Sequence, residues 1–379
     1  MKILQVHNYY QNPTGDDAVL KEEHDLLTKN GHEVIQFTKT NTMLSQASLL
    51  SKLKVASSLK SSKTVGQEFN LYLDKHKPDI VHAHNIYPLI TPVVFEVCHK
   101  HRIPVIQTLH NYRLSCVNTL LYRDGNICED CITHGLNQGV KHKCYNNSRI
   151  QSYIMADTLK YHRKRDTWNK KVGMFICLSE FAKAKFMDIG IKAEKLIVKP
   201  NFIRDPRDTS TYEDFFLFAG KLEEQKGLSD FLRLAEIRPE VKFKVAGFCD
   251  DPSIFSGLEN VEYLGQLERE ELMKLMQSTK GLLFLSKMFE GMPMTILEAF
   301  VHKKAVIARN LGAMSEMINP GFNGELFDGF DQLCDSVDKF ESTNYCKVLG
   351  NNAYSDYLER YDQESAYKSL MSVYDRLID

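Results

Sequence analysis

Short runs of β-branched and aliphatic residues alternate along the chain with longer stretches in which apolar residues recur every three or four positions. The short runs fit strands buried on both faces, and the longer spacing fits amphipathic helices. In the first half the predicted strands are Lys2 to Val6, Glu33 to Thr38, Asp79 to His84, Pro104 to Leu109, Met174 to Ser179 and Leu196 to Lys199. Asp16 to Lys29 has helical spacing and ends in Asn30-Gly31, a good C-terminal stop. The pattern breaks at Lys199-Pro200-Asn201, and the polar segment Asp205 to Thr211 reads as a linker. A second series then begins, with strands at Phe215 to Ala219, Lys242 to Ala246, Val261 to Leu264, Gly281 to Leu285 and Ala305 to Ala308. Two series of parallel β-α units predict an α/β protein of two doubly wound domains. Such sheets hold ligands beyond the carboxyl ends of their strands, so the expected site is a cleft between facing sheets.

The length agrees with this pattern, since 379 residues at roughly 150 per domain allow two domains and some added material. We expect residues 1–200 to form the first domain, with an insertion over 115–148, and residues 201–358 the second. A C-terminal helix over 359–379 is expected to pack back on the first. Lys and Arg number 48 against 49 Asp and Glu, so no whole-molecule field draws the chain to nucleic acid. Any anion site must therefore come from local charge. The apolar run at Met1 to His7 is too short for a secretory signal, and no run approaches the roughly 18 apolar residues of a membrane span. The expected compartment is the cytoplasm, where nine cysteines stay reduced as packing residues or metal ligands.

The candidate chemistry concentrates after the strand Gly281 to Leu285, in Ser286 to Phe300. Pro293 suits the first position of a helix, because its missing amide hydrogen would have been unpaired there. Glu290 then lies in the preceding loop, and Glu298 about a turn and a half into the helix. The free amides of Gly291, Met292, Met294 and Thr295 make a positive helix terminus suited to phosphate. Two carboxylates flanking that terminus could accept hydrogen bonds from two sets of hydroxyls, although acids near a helix start are also favourable in any protein.

With E-G-M-P-M-T-I-L-E-A-F around Glu290 and Glu298, the sequence resembles the retaining GT-B glycosyltransferases of family 4, also called glycosyltransferase group 1. F-A-G-K-L-E-E-Q-K-G at Phe218 to Gly227 is similar to the G-R-L-x-x-x-K-G element of that family. A-V-I-A-R-N-L-G-A-M-S-E-M-I at Ala305 to Ile318 is similar to the segment that follows. Asn12-Pro13-Thr14-Gly15-Asp16-Asp17 resembles the glycine loop after the first strand, and T-L-H-N-Y at Thr108 to Tyr112 resembles T-x-H-D. The resemblance implies the GT-B fold, two Rossmann-like domains facing a central cleft. It implies that Glu290 binds the donor sugar, Glu298 the ribose, and Lys226 with Lys221 the diphosphate. It also implies that His110 contacts the donor sugar and reacting centre, that Arg113 adds charge, and that His7, Asn8 and Gly15 line the acceptor and phosphate side. Lys221 stands where arginine is usual, which turns a bidentate contact into a point charge. Asp16 replaces a second glycine, and Asn111 the usual acid.

The implied activity is retaining transfer of a hexose from a UDP- or GDP-sugar to a saccharide or lipid-linked glycan, in bacterial surface polysaccharide synthesis. No catalytic metal is expected. The alternatives are a nucleotide-sugar epimerase of the same fold and an inactive sugar-nucleotide sensor.

Two features lie outside that scheme. Cys116, Cys128, Cys131 and Cys144, spaced C-x11-C-x2-C-x12-C, could form a closed structural zinc site in a segment poor in aliphatic residues. His134 and His142 are rival ligands, and a loop of reduced thiols is the plain alternative. From Asn41 to Gln67, Lys52, Lys54, Lys60 and Lys63 accompany Met43, Leu44, Leu49, Leu50, Leu53, Val55 and Leu59 at helical spacing. This fits contact with an anionic membrane as well as it fits a helix packed on the first domain. A second basic cluster, Lys160 to Lys171, surrounds Trp168.

Overall fold

The computed structural model describes residues 1–11, 14–42, 55–207 and 210–378. Its strands are β1 (Lys2–Tyr9), β2 (Glu33–Thr40), β3 (Ile80–Ala83), β4 (Val105–Leu109), β5 (Tyr122–Arg123), β6 (Asn126–Ile127), β7 (Met174–Cys177), β8 (Leu196–Val198), β9 (Phe216–Ala219), β10 (Phe243–Ala246), β11 (Val261–Tyr263), β12 (Gly281–Phe284), β13 (Val306–Arg309) and β14 (Gly324–Phe327). The chain divides into two compact units. The first comprises Met1–Leu121, Cys128–Asn201 and Ala366–Asp379, and the second Tyr122–Ile127 and Phe202–Ser365. The β5-β6 hairpin, inside the cysteine-bearing segment, thus belongs to the second unit.

In the first unit the strand order is β2-β1-β3-β4-β7-β8, with every pairing parallel. The helix Gly15–Lys29 has Asp16 and Asp17 in its first turn and Lys29 in its last, each sign placed to suit the helix dipole. Its stripe of Val19, Leu20, Leu26 and Leu27 is buried, and Glu23 sits in the same stripe. The C-terminal helix Gln363–Ile378 supplies Leu370, Val373 and Tyr374 to a core with Ile3, Leu27, Ile80, Ile106 and Ile176. Beyond β3 and β1 the chain leaves in opposite directions, so the switch point lies between their carboxyl ends.

In the second unit the order is β11-β10-β9-β12-β13-β14, again all parallel. Its core is rich in aromatic rings, with Phe218 stacked on Phe231 at 4.8 Å and Phe231 edge-on to Phe243 at 5.4 Å. The switch point here lies between β9 and β12. Parallel α/β folding is therefore present in both units, and no described helix is long and apolar enough to cross a membrane.

Candidate active site

In the second unit the loops after β9 and β12 meet at the switch point. Gly227 adopts φ +88°, and a Cβ there would stand 2.3 Å from the carbonyl oxygen of Leu285. Only glycine allows that approach. The contact is continued by the Lys287 amide, which donates to Gln225 O at 2.9 Å. Lys226 is thereby carried to Glu290, with its Nζ 2.6 Å from Oε1, and Ser286 Oγ donates to the same oxygen at 2.7 Å. Lys226 and Glu290 are both partly exposed and face an accessible position.

The helix after this loop is Met294–Val301, and Pro293 stands at its N-cap with φ −73° and ψ 116°. The expected placement of Pro293 inside the first turn is corrected by one residue. The pre-proline loop and extended cap conformation start the helix at Met294, and Gly291, Met292 and Thr295 flank that start. Glu298 is buried on this helix and meets Arg269 Nη1 at 3.0 Å. Burial raises its carboxyl pKa, against the pull of the Arg269 cation. Lys221 is more than half exposed and paired with Glu223, not with Glu290.

The first unit gathers another polar cluster at the ends of β1, β3 and β4. His7 Nε2 lies 2.7 Å from Asp17 Oδ1, while the other oxygen of Asp17 accepts the Thr14 amide at 2.9 Å. The start of the helix at Gly15 is thus tied to the end of β1. Asn8 donates through Nδ2 to Asn41 Oδ1 at 3.0 Å, and its backbone amide to Asn85 O at 2.7 Å. His110 Nε2 lies 2.9 Å from His84 Nδ1, with the rings stacked at 17°. Asp16, His84, His110 and Arg113 line one pocket of this unit. The Asp16 carboxyl is pushed up to about 6, mainly by burial and with help from Asp17, while His7 opposes the shift. Burial first, then His84, pushes the His110 imidazole well below the ordinary histidine range. Asn12 and Pro13 of the glycine loop lie outside the described residues.

Sequence reasoning missed five partners. Ser286 and Arg269 hold the two glutamates, and Glu23, His82 and Lys199 lie behind His84. Two signals could have found the second set: a carboxylate within the apolar stripe of the first helix, and the alternation His82-Ala83-His84 at a strand end.

Of the four cysteines expected to bind zinc, Cys116 and Cys131 are brought into hydrogen-bond contact. That bond lowers Cys116 to about 7, with burial opposing, and Cys131 is raised correspondingly. The group whose metal-ligating atoms lie within 4.8 Å of one another among the described residues is Glu23, His82 and His84, and the four cysteines are not assembled in that way. The zinc expectation gains no support from this arrangement, in which the contact seen is the thiol pair Cys116–Cys131. Cys98, Cys177, Cys249, Cys334 and Cys346 are buried, as packing residues should be.

Most of the basic amphipathic segment, residues 43–54 with Lys52 and Lys54, lies outside the described residues. Beyond it Lys60 pairs with Asp157 at 2.5 Å, and Leu59 is buried. In the second basic cluster Trp168 is buried and Arg163 donates to Leu114 O at 2.7 Å. Those side chains are engaged with the protein itself.

The chain matches the family described as glycosyl transferases group 1 over residues 200–356 and glycosyltransferase family 4 over residues 18–206. It is 26% identical over 263 residues to an uncharacterised 42.6 kDa protein in the cps region of Klebsiella pneumoniae, a match covering 67% of this chain and 63% of that protein. It therefore spans less than two thirds of that relative. It is 23% identical over 291 residues to the uncharacterised glycosyltransferase MJ1178 of Methanocaldococcus jannaschii, covering 73% of this chain and 76% of the other. Among solved structures it is similar to Anabaena Alr3699/HepE in complex with UDP and glucose, at TM-score 0.66 and 17% identity over 99% of this chain and 100% of the other. Sucrose-phosphate synthase from Thermosynechococcus elongatus gives TM-score 0.72 at 13% identity, over 99% of this chain and 98% of the other.

Proposed function

The chain belongs to the group 1 glycosyltransferases, with their GT-B fold, and we propose that it transfers a hexose from a nucleoside-diphosphate sugar to a saccharide or lipid-linked glycan with retention of anomeric configuration. The observation that carries this reading is the convergence of Lys226, Ser286 and Glu290 at the switch point of the second unit, beside the start of the helix that bears Glu298.

Each part has a chemical task there. Glu290 accepts hydrogen bonds from sugar hydroxyls, and Glu298 accepts them from the ribose. Lys226 exchanges its carboxylate partner for the diphosphate, and Lys221 adds charge from a more exposed position. As the glycosidic bond breaks, negative charge gathers on the departing phosphate oxygen. A fixed ammonium and the amides at the start of the helix Met294–Val301 stabilise that charge more in the transition state than in the ground state. The departing phosphate is the proposed acceptor of the proton from the attacking hydroxyl. In the first unit, the family resemblance assigns His110 a contact with the sugar and Gly15 one with the phosphate.

A role in surface polysaccharide synthesis is supported by the Klebsiella relative, whose name places it in the cps region. A lipid-linked acceptor is supported by 26% identity over 148 residues to the alpha-galactosylglucosyldiacylglycerol synthase of Streptococcus pneumoniae, covering 32% of this chain and 40% of that enzyme.

The test is a thermal-shift screen of UDP- and GDP-sugars, followed by proton NMR of the best binder incubated with sugar and glycolipid acceptors. The expected result is a new glycosidic linkage with the anomeric configuration of the donor. An inverted product would overturn retention. An isomerised donor in the absence of acceptor would favour an epimerase, and binding with no turnover a sensor.

A further inference from the structure

Behind the pocket of the first unit lies a buried row of ionisable groups to which the transfer scheme gives no task. Lys199 Nζ lies 3.2 Å from Glu23 Oε1, and His84 Nε2 lies 3.4 Å from Glu23 Oε2. His84 Nδ1 in turn lies 2.9 Å from His110 Nε2. His82 flanks the row, 3.6 Å from Glu23 Oε2, with Tyr374 OH 2.8 Å from its Nδ1 and Thr108 Oγ1 2.8 Å from its Nε2. Glu23, His82, His84 and Lys199 are each almost fully buried.

Glu23, His82 and His84 could be taken for a metal centre, since their ligand atoms lie within 4.8 Å of one another. Their partners argue otherwise. Lys199 already balances the Glu23 charge, and Tyr374 occupies His82 Nδ1. A divalent ion would add two uncompensated charges to a buried site beside an ammonium group.

The row instead fixes protons. Burial pushes the Glu23 carboxyl up, but Lys199, His82 and His84 outweigh it and hold the group well below its ordinary range, so it is a carboxylate. Burial pushes His84 down against the pull of Glu23, so its ring is neutral. His84 Nε2 and Glu23 Oε2 are 3.4 Å apart and neither has a hydrogen-bond partner elsewhere, so the neutral imidazole keeps its one proton on the nitrogen nearer the carboxylate charge, here Nε2. His84 Nδ1 is left as an acceptor, so His110 Nε2 must be the donor between them. The single proton of neutral His110 is then spent inward, and its Nδ1 carries a lone pair. Among the described residues Nδ1 has no hydrogen-bond partner, and His110 is partly exposed on the pocket wall.

We propose that Glu23 and His84 are positioning residues that lock His110 in its Nε2–H tautomer, so that His110 Nδ1 accepts a hydrogen bond from a hydroxyl of the bound sugar. The sugar part of this inference rests on the transfer reading above; the tautomer part does not. Lys199 contributes by holding Oε1, which leaves Oε2 to His84.

The experiment is ¹⁵N-edited NMR of histidine-labelled protein at pH 7 without ligand, with His110 assigned through His110→Asn. The expected result is a protonated Nε2 and an unprotonated Nδ1. In Glu23→Gln the amide oxygen stays on Lys199, so the amide NH₂ faces His84 Nε2 and reverses the chain of donors. His110 should then become the Nδ1–H form, and kcat/KM for the nucleotide sugar should fall about tenfold, as for loss of one hydrogen bond worth about 1.4 kcal/mol. A wild-type His110 protonated on Nδ1, or a tautomer unchanged in Glu23→Gln, would overturn the proposal. The wild-type spectrum decides the point even if the variant fails to fold. Absence of turnover with every nucleotide sugar would overturn the transfer reading while leaving the tautomer result standing.

Discussion

Lys226 and Glu290 neutralise each other at 2.6 Å, so a diphosphate entering beside them competes with a carboxylate for the lysine. Lys226→Ala should lower kcat by about 10²- to 10³-fold, the range for removing one preorganised charge-stabilising donor, with fluorescence-monitored binding of the nucleotide sugar less affected. A loss confined to KM would place Lys226 in ground-state binding. That Glu290 and Glu298 lie close together was legible in the sequence because a loop and the helix beside it keep their residues together in space, whereas Lys226 is 64 positions away from Glu290 and was pointed to only by the resemblance of its K-G element. Arg269 was not legible, because it reaches Glu298 from the separate helix Arg269–Ser278. A tertiary pairing of that kind leaves no local spacing to read. The contact between Cys116 and Cys131 is of the same kind: it joins residues 15 positions apart, which the C-x2-C spacing of Cys128 and Cys131 does not show.

The elements themselves were largely visible, since strands buried on both faces give nearly continuous apolar runs and each helix stripe returns at three or four residues. The stops were visible too: Asn30 caps the first helix, and Gly31 follows at φ +83°. What periodicity could not show was which loops touch. Gly227 is the hinge of that contact in the second unit, left-handed at φ +88° and pressed on Leu285. Gly227→Ala should destabilise that unit by about 2 kcal/mol or more, from left-handed strain together with backbone collision, and should lower the urea midpoint. Because Lys226 precedes it, transfer should fall with stability. An unchanged midpoint would show that the two loops separate at little cost.

Across the whole molecule, the C-terminal helix is what makes the first unit more than its own contiguous sequence. Leu370→Ala, in a core fully closed to solvent, should cost about 2–5 kcal/mol in chemical denaturation. Acid stability has a definite sign. The Glu23 carboxyl sits well below its ordinary 4.5, so the folded chain binds fewer protons there than the unfolded chain. Its contribution is complete above about pH 4.5 and is lost as pH falls below that value. The urea midpoint of the wild type should therefore drop between pH 5 and pH 3, and Glu23→Gln should flatten that slope while lowering stability at pH 7 by about 3–5 kcal/mol, since it removes the carboxylate that balances the buried Lys199 charge. The central claim is that the second unit turns over a nucleotide sugar through Glu290. The most direct measurement is release of nucleoside diphosphate from the best-binding nucleotide sugar, by wild type and by Glu290→Ala, at matched saturation. The account predicts turnover by the wild type and a loss of about 10²-fold or more in the variant, with its fold retained. Equal rates from the two proteins would contradict it.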